Sequence, residues 1–295
     1  MCRLFGLLGG PVEPAEPWLV ATDRSLLVQS NVNPEMRQPD GWGIGWYAPT
    51  RVPRVEKGIG GAYEHAERER FLRAAKAATG PVVLGHLRHA SNPMHLPRER
   101  LVGLENSQPF VHGSAMFAHN GSIPYPRETR PKLGKFEALV RGVNDSEVLF
   151  WLLLKHTEEI GDPLGAYTRT VADLVEVWTE LGRPDGGPCT GLNVLFTRGP
   201  NELWAFCLWL GDHGGSLCDP HRPYYEMTYT ADAKHAVVGS EPFDSTRTDW
   251  RSIPNGHYLV ANASGGLVGA KTGPIPGLAK VLPPARRAPE PRPTG

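Results

Sequence analysis

The sequence has no excess of charge: 31 Lys and Arg stand against 31 Asp and Glu over 295 residues. The strongly basic face or tail that collects phosphates is therefore missing, and with it the simplest nucleic-acid function. Cysteine is scarce, with only 4 residues, at Cys2, Cys189, Cys207 and Cys218. None forms a Cys-x-x-Cys pair, which excludes a zinc knuckle and a thioredoxin-type motif. Long apolar runs are also missing. VLFWLLL at 148–154 falls far short of the roughly 18 apolar residues that a membrane helix needs. The N-terminal stretch MCRLFGLLGGPVEPAEPW has neither the longer apolar region nor the small-residue cleavage site of a secretory signal. A cytoplasmic protein with reduced thiols is expected, with no membrane and no nucleic acid among its partners. There is no repeat of solenoid length. The glycine-rich pieces GGPVEP and GDHGGS lack the strand, lysine and helix of a phosphate loop.

What is abundant is backbone punctuation. With 34 Gly and 29 Pro, many short strands and loops are expected rather than a helical bundle, and 40% hydrophobic residues suffice for a large core. Strands are expected at 2–9, 41–48, 82–89 and 114–119, the last stopped by Asn120-Gly121. In 41–48, Trp42, Ile44 and Trp46 alternate with Gly41, Gly43 and Gly45, so one face must admit another backbone closely. Residues 17–29 read as a helix or two short turns, and 64–78 as a helix closed by Gly80-Pro81. Asn144 with Glu147 fits a capping box ahead of the apolar run 148–154, and a second helix follows over 166–181. Strands return at 192–197, 202–210, 236–240 and 257–262. Strands, then helices, then strands indicate an α+β layered fold with antiparallel sheets. One domain over 2–275 is expected, followed by a Pro-rich, disordered tail over 276–295.

Cys2 directly follows the initiator methionine, which is commonly trimmed before a small residue. Trimming would place a free α-amine beside the thiol of the same residue. With pKa values of about 7.7–8.0 and about 8.5, the amine can take the thiol proton near neutrality. One residue would then supply both nucleophile and base. Read alone, Cys2 could equally be a small apolar residue in a first strand.

Four downstream segments weigh against that reading: RQPDGWG at 37–43, GHLRHASN at 85–92, AHNGSI at 118–123 and NDSE at 144–147. With Cys2, in this order, they resemble the class II glutamine amidotransferase domain, a branch of the N-terminal-nucleophile (Ntn) hydrolases, over most of residues 2–262. The resemblance implies a four-layer αββα sandwich of two antiparallel sheets. It implies that the Cys2 sulfur attacks the γ-carboxamide of glutamine, with Asn120 and the Gly121 N–H as the oxyanion hole. Arg88 would hold the substrate α-carboxylate with its planar fork, helped by Ser91, and Asp145 would take the α-ammonium. Arg37, Asp40 and Gly41 would belong to a supporting loop beside the nucleophile. No cofactor and no metal is implied.

The residues also admit other readings. Arg88 could be a surface arginine, although its strand is apolar. Asp145 could serve only the helix dipole, and Asn120-Gly121 could be only a hairpin turn. His86, His89 and His95 suggest a metal cluster at first sight, but no acid pair accompanies them. His119 reads as a hydrogen-bonded core histidine, and Cys207 as buried and inert. No role is evident for Cys189 and Cys218.

Several positions depart from the family's strings. His89 stands where an aromatic is usual, Asn92 where His is frequent, and 92–113 carries an insertion. ENSQPF at 105–110 resembles a subgroup with stand-alone bacterial members. LLVQS at 26–30, DGWG at 40–43 and SEPFD at 240–244 resemble the γ-glutamyl amidohydrolase branch of the ergothioneine pathway. Three functions stay open: a stand-alone hydrolase of a γ-glutamyl amide or peptide, a glutaminase subunit handing ammonia to a separate synthetase, and a non-catalytic binding protein. The chain ends shortly after its last expected strand, so no acceptor-activating domain is expected in cis. Oligomeric state is left open.

Overall fold

The computed structural model describes residues 2–48 and 52–283. The strands are β1 Arg3–Pro14, β2 Trp42–Tyr47, β3 Pro53–Gly58, β4 Thr79–Leu87, β5 Phe110–His112, β6 Ala115–Gly121 and β7 Leu192–Thr197. They continue as β8 Glu202–Cys207, β9 Met227–Ala231, β10 His235–Gly239, β11 Arg251–Ile253, β12 His257–Ser264 and β13 Leu267–Pro274. One sheet has the order β11-β9-β10-β1-β4-β2-β3 and the other β13-β12-β8-β7-β6-β5. Every strand pairing is antiparallel.

Period-two alternation explains the layers. On β1 and β4, Leu4, Leu8, Val82 and Leu84 enter a core shared with Ala118, Leu195 and Ala205 of the second sheet. Their neighbours Phe5, Leu7, Val83 and Leu87 face the other way and pack with Phe71, Ala74 and Ala75 of the helix His65–Ala77. Beyond the second sheet, Phe117, Val194 and Phe206 meet the helices Asp145–Ile160 and Pro163–Glu180. The result is an αββα sandwich, as the resemblance implied. Each fully buried large apolar side chain in these layers contributes about 1.5–3 kcal/mol by removal from water.

The glycine face of β2 meets the approach expected of it. A Cβ on Gly43 would lie 2.0 Å from the Gln108 carbonyl oxygen, and one on Gly45 3.0 Å from the Met116 sulfur. Other expectations shift. Residues 17–29 form two separate turns, Pro17–Ala21 and Leu26–Gln29. The strand expected over 202–210 ends at Cys207, where the Leu208 N–H turns to the Asn193 side chain. The edge strands β3, β5, β11 and β13 and the inner strand β9 lie outside the expected strands; half-exposed strands such as Pro53–Gly58 have weak apolar patterning. Asn144 does cap its helix, accepting from Ser146 N at 2.9 Å. Glu147 does not close a capping box; it accepts from Arg141 N and Gly142 N at 2.9 and 2.7 Å. The domain body runs further than the expected boundary at 275. Leu278 is 5% exposed and packs into the helix-side core, so the turn Leu278–Val281 belongs to the domain body. Residues 284–295, the rest of that tail, lie outside the described residues.

Candidate active site

Alternation also aims the candidate residues. Cys2 extends the Leu4–Leu8 face of β1, and Arg88 extends the Leu84–His86 face of β4. Both faces look into the space between the sheets. Arg3 pairs with Leu87, and Leu4 with His86, which puts Cys2 across from Arg88 at the end of the ladder. From the second sheet, Asn120 follows Met116 and Ala118 on the inward face of β6. Three strand ends thus converge on one corner.

Cys2 is 8% exposed, and its Sγ donates to the His89 carbonyl at 3.6 Å. Burial pushes its thiol above the ordinary value, while Arg88 pulls the other way. Arg88 is 3% exposed. Its backbone extends the sheet, N–H to Gly41 O at 2.8 Å and carbonyl from Asp40 N at 3.1 Å. Its Nη1 donates to Leu101 O at 2.9 Å and to Asp40 O at 3.3 Å. Among the described residues no carboxylate lies within ion-pair distance of this guanidinium. A buried cation hydrogen-bonded only to carbonyls, with Cys2, Asp40 and Asp145 favouring its charge from farther off, is expensive, and an incoming carboxylate would offset that cost. Burial accordingly lowers the Arg88 pKa.

Asp145 joins the two sheets' ends. Its Oδ1 accepts from Ser91 Oγ at 3.2 Å, beyond β4, and its Oδ2 from Ile123 N at 2.8 Å, beyond β6. Asp40 braces the same turn, accepting from Ala90 N at 2.8 Å and pairing with Arg98 at 2.5 Å.

Asn120 is fully buried, and neither its Oδ1 nor its Nδ2 has a partner among the described residues. An unsatisfied buried amide costs about 1–3 kcal/mol, so its retention calls for a ligand or ordered water. Gly121 has φ +152°, and a Cβ there would lie 1.8 Å from the Gly191 carbonyl oxygen. Only glycine fits this approach. His119 is the core histidine expected: burial lowers its pKa, and its ring spans Ser146 Oγ at 2.9 Å and Gly191 O at 3.1 Å.

Other residues sit differently from their sequence reading. The Arg37 guanidinium points outward, 5.9 Å from the Tyr63 ring centroid; its carbonyl instead meets His89 Nδ1 at 2.9 Å. Gly41 serves through its backbone, with φ +131° and its oxygen on the Arg88 N–H. His86 is fully buried beside the His119 backbone, and burial keeps it neutral. Among the described residues no group of three or more His, Cys, Asp or Glu could hold a metal ion.

Sequence reasoning missed a second cluster at the nucleophile. The Tyr224 hydroxyl donates to the Cys2 carbonyl at 3.4 Å, and the Arg3 guanidinium lies 3.9 Å from the Tyr224 ring centroid. Arg3 pairs with buried Glu241 at 3.5 Å. Glu241 also accepts from the Ser216 hydroxyl, Leu217 N and Cys218 N. A charged residue right after Cys2 in an apolar strand, and a glutamate inside SEPFD, were the available signals.

These features define an Ntn-type domain with its candidate nucleophile at the head of the first strand. The chain belongs to the class-II glutamine amidotransferases: the family model of that description matches residues 1–279. This is a family of enzymes that act on the glutamine amide with an N-terminal cysteine nucleophile. Among solved structures, the chain is similar to a glutamine aminotransferase class-II domain protein from Silicibacter pomeroyi, at 20% identity and TM-score 0.62, covering 93% of this chain and 99% of that one. It is also similar to the glutamine phosphoribosylpyrophosphate amidotransferase of B. subtilis complexed with ADP and GMP, at 19% identity and TM-score 0.57. That match covers 93% of this chain but 49% of the other, so the chain spans about half of that enzyme. No curated protein matches. No helix among the described residues is long and apolar enough to cross a membrane.

Proposed function

We propose that the protein hydrolyses a γ-glutamyl amide, glutamine or a γ-glutamyl compound, through a thioester on Cys2 after removal of Met1. The carrying observation is the pair of buried groups around Cys2: a guanidinium whose hydrogen bonds go to carbonyls and an asparagine amide without a partner among the described residues. They match the two charges the substrate brings, an α-carboxylate at rest and an oxyanion in the transition state.

The freed Cys2 α-amine takes the thiol proton, and the sulfur attacks the γ-carbonyl carbon. The oxyanion is held by Asn120 Nδ2 and the Gly121 N–H. Collapse breaks the C–N bond, and the α-ammonium returns its proton to the leaving ammonia or amine. Water then hydrolyses the thioester by the same route, releasing glutamate and restoring the thiol. Arg88 and Ser91 hold the α-carboxylate end, and Asp145 holds the α-ammonium. Asp40 and Gly41 keep the Arg88 turn in place. The four unpaired thiols suit the reducing cytoplasm.

The strings LLVQS, DGWG and SEPFD favour a stand-alone hydrolase of a γ-glutamyl compound. The likeness to an amidotransferase of twice the length favours the second reading, a glutaminase that delivers ammonia to a separate synthetase. A screen of glutamine and γ-glutamyl amides, reading ammonia and amine release separately, distinguishes them. Hydrolysis of substituted amides well above glutamine supports the first reading, and glutamine alone the second. No hydrolysis of any γ-glutamyl amide by protein lacking Met1 overturns both.

A further inference from the structure

We infer that the buried strap 106–108 is a positioning device that sets Asn120, Asp145 and Arg88 relative to one another. The inference rests on the function proposed above. Asn106, Ser107 and Gln108 are each no more than 1% exposed, yet all three are polar. A segment needed only to fill space would be apolar, because each buried polar group must find a partner.

The partners found are the backbone neighbours of the candidate site. The Gln108 side chain grips the main chain of His119 on both sides, with Oε1 accepting from His119 N at 2.6 Å and Nε2 donating to His119 O at 3.2 Å. Asn120 is the next residue. Asn106 Oδ1 accepts from Val143 N at 2.8 Å and Asn144 N at 3.1 Å, and Asn144 Nδ2 donates back to Asn106 O at 2.6 Å. Asp145 is the next residue. Asn106 Nδ2 donates to Arg100 O at 3.2 Å, and the next carbonyl, Leu101 O, takes Arg88 Nη1. Each substrate-facing group is thus at most one residue from a strap bond or from its carbonyl anchor.

The strap is itself tied to the nucleophile's sheet. Lys57 on β3 donates to Ser107 O at 2.5 Å. Gly43 on β2 leaves room for the Gln108 carbonyl, which would sit 2.0 Å from any Cβ there. One three-residue segment therefore references the oxyanion side of the second sheet to the Cys2 side of the first. A misplacement of about 1 Å at a reacting centre costs about 100-fold in rate, so such a reference has catalytic consequence.

The two arms should fail differently. Gln108→Ala frees the Asn120 segment, which acts in the transition state; kcat should fall about 10- to 100-fold with KM within about threefold. Asn106→Ala frees the Asp145 segment, which binds the ground state; KM should rise about tenfold with the smaller change in kcat. Asn106→Asp keeps the acceptor for the two N–H groups and should restore KM. If the alanine variants do not fold, Gln108→Met, which keeps the volume and removes both bonds to His119, and Asn106→Ser carry the same split. Crystal structures of the variants give a readout independent of turnover: Asn120 should move in the Gln108 variant, and Asp145 in the Asn106 variant. Equal losses in both parameters for both variants, or Asn120 and Asp145 both staying within about 0.5 Å of their places, overturn the strap. If the wild-type protein hydrolyses no γ-glutamyl amide, the functional reading falls, and the variant structures still decide the strap.

Discussion

Asn120 and Asn193 face each other across β6 and β7, both buried, both on the face that looks between the sheets. Asn193 is fully engaged: its Nδ2 donates to Tyr225 O at 2.6 Å, and its Oδ1 accepts from Leu208 N at 3.1 Å. Cys207 beside it also donates to Tyr225 O, at 3.5 Å. The Asn120 side chain has no partner among the described residues. Its corner also holds Arg88, a cation hydrogen-bonded to carbonyls alone, and the thiol of Cys2. The same residue type at neighbouring positions thus closes one corner and leaves the other open. Burial alone identifies neither function nor structure; the unspent hydrogen-bonding capacity separates them.

That contrast can be tested by breaking each corner in turn. The largest effect is expected from the thiols. Cys2→Ala should abolish turnover, by about 10⁴-fold or more, whereas Cys207→Ala should leave kcat within about threefold and cost stability by the cavity it opens. Steady-state hydrolysis and urea melts of both variants check this. Next come the asparagines. Asn120→Ala should lower kcat about 100- to 1000-fold with little loss of stability, since it removes an unsatisfied group. Asn193→Ala should do the reverse, losing about 1–3 kcal/mol by stranding Leu208 N and leaving Tyr225 O only the Cys207 thiol, while keeping most of kcat. If both variants lose the same property, the distinction between the corners is wrong.

Arg88→Lys should raise KM about tenfold for γ-glutamyl substrates, because an ammonium replaces a two-pronged fork. Glutamine kinetics at unchanged KM would remove the carboxylate from Arg88. The smallest effect concerns alkaline pH. Burial pushes Cys189 and Cys207 up to about 12 from an ordinary value near 9. Between those values the unfolded thiols ionise and the folded ones do not. The folded state then binds more protons, and stability falls as pH rises through that window. The urea midpoint should drop between pH 8 and pH 10, and less steeply in the double Cys189→Ala, Cys207→Ala variant. An identical slope would show that the Cys189 and Cys207 thiols are not buried in solution.

Much of the open corner was legible in the sequence because its residues sit in short strings with fixed neighbours: Arg88 and Ser91 in one, Asn120-Gly121 in another, Asp145 at a helix start. That Arg88 and Asn120 face inward followed only from the pairing of the strands, since the sequence left Arg88 open as a surface residue and Asn120 as a turn residue. The glycines of 41–48 announced a close backbone approach, though not that Gln108 would be the visitor. The closed parts were harder to see. Glu241, Arg3 and Tyr224 meet only through tertiary contact, across more than 200 residues of chain, and no local period marks such a pair. Glu147 matched the spacing of a capping box, yet it caps the turn before the helix, because Asn106 reaches the Asn144 N–H first. Arg37 matched a string, but the structure uses only its carbonyl. String matching locates a residue and leaves open whether side chain or backbone does the work.

The central claim is that Cys2, exposed as the chain's first residue, is the nucleophile. A diazo-ketone analogue of glutamine, followed by intact mass and peptide mapping, tests it most directly. The account predicts loss of Met1, a single adduct on Cys2 and parallel loss of hydrolysis. An adduct on Cys189, Cys207 or Cys218, or Met1 retained in active protein, would contradict it.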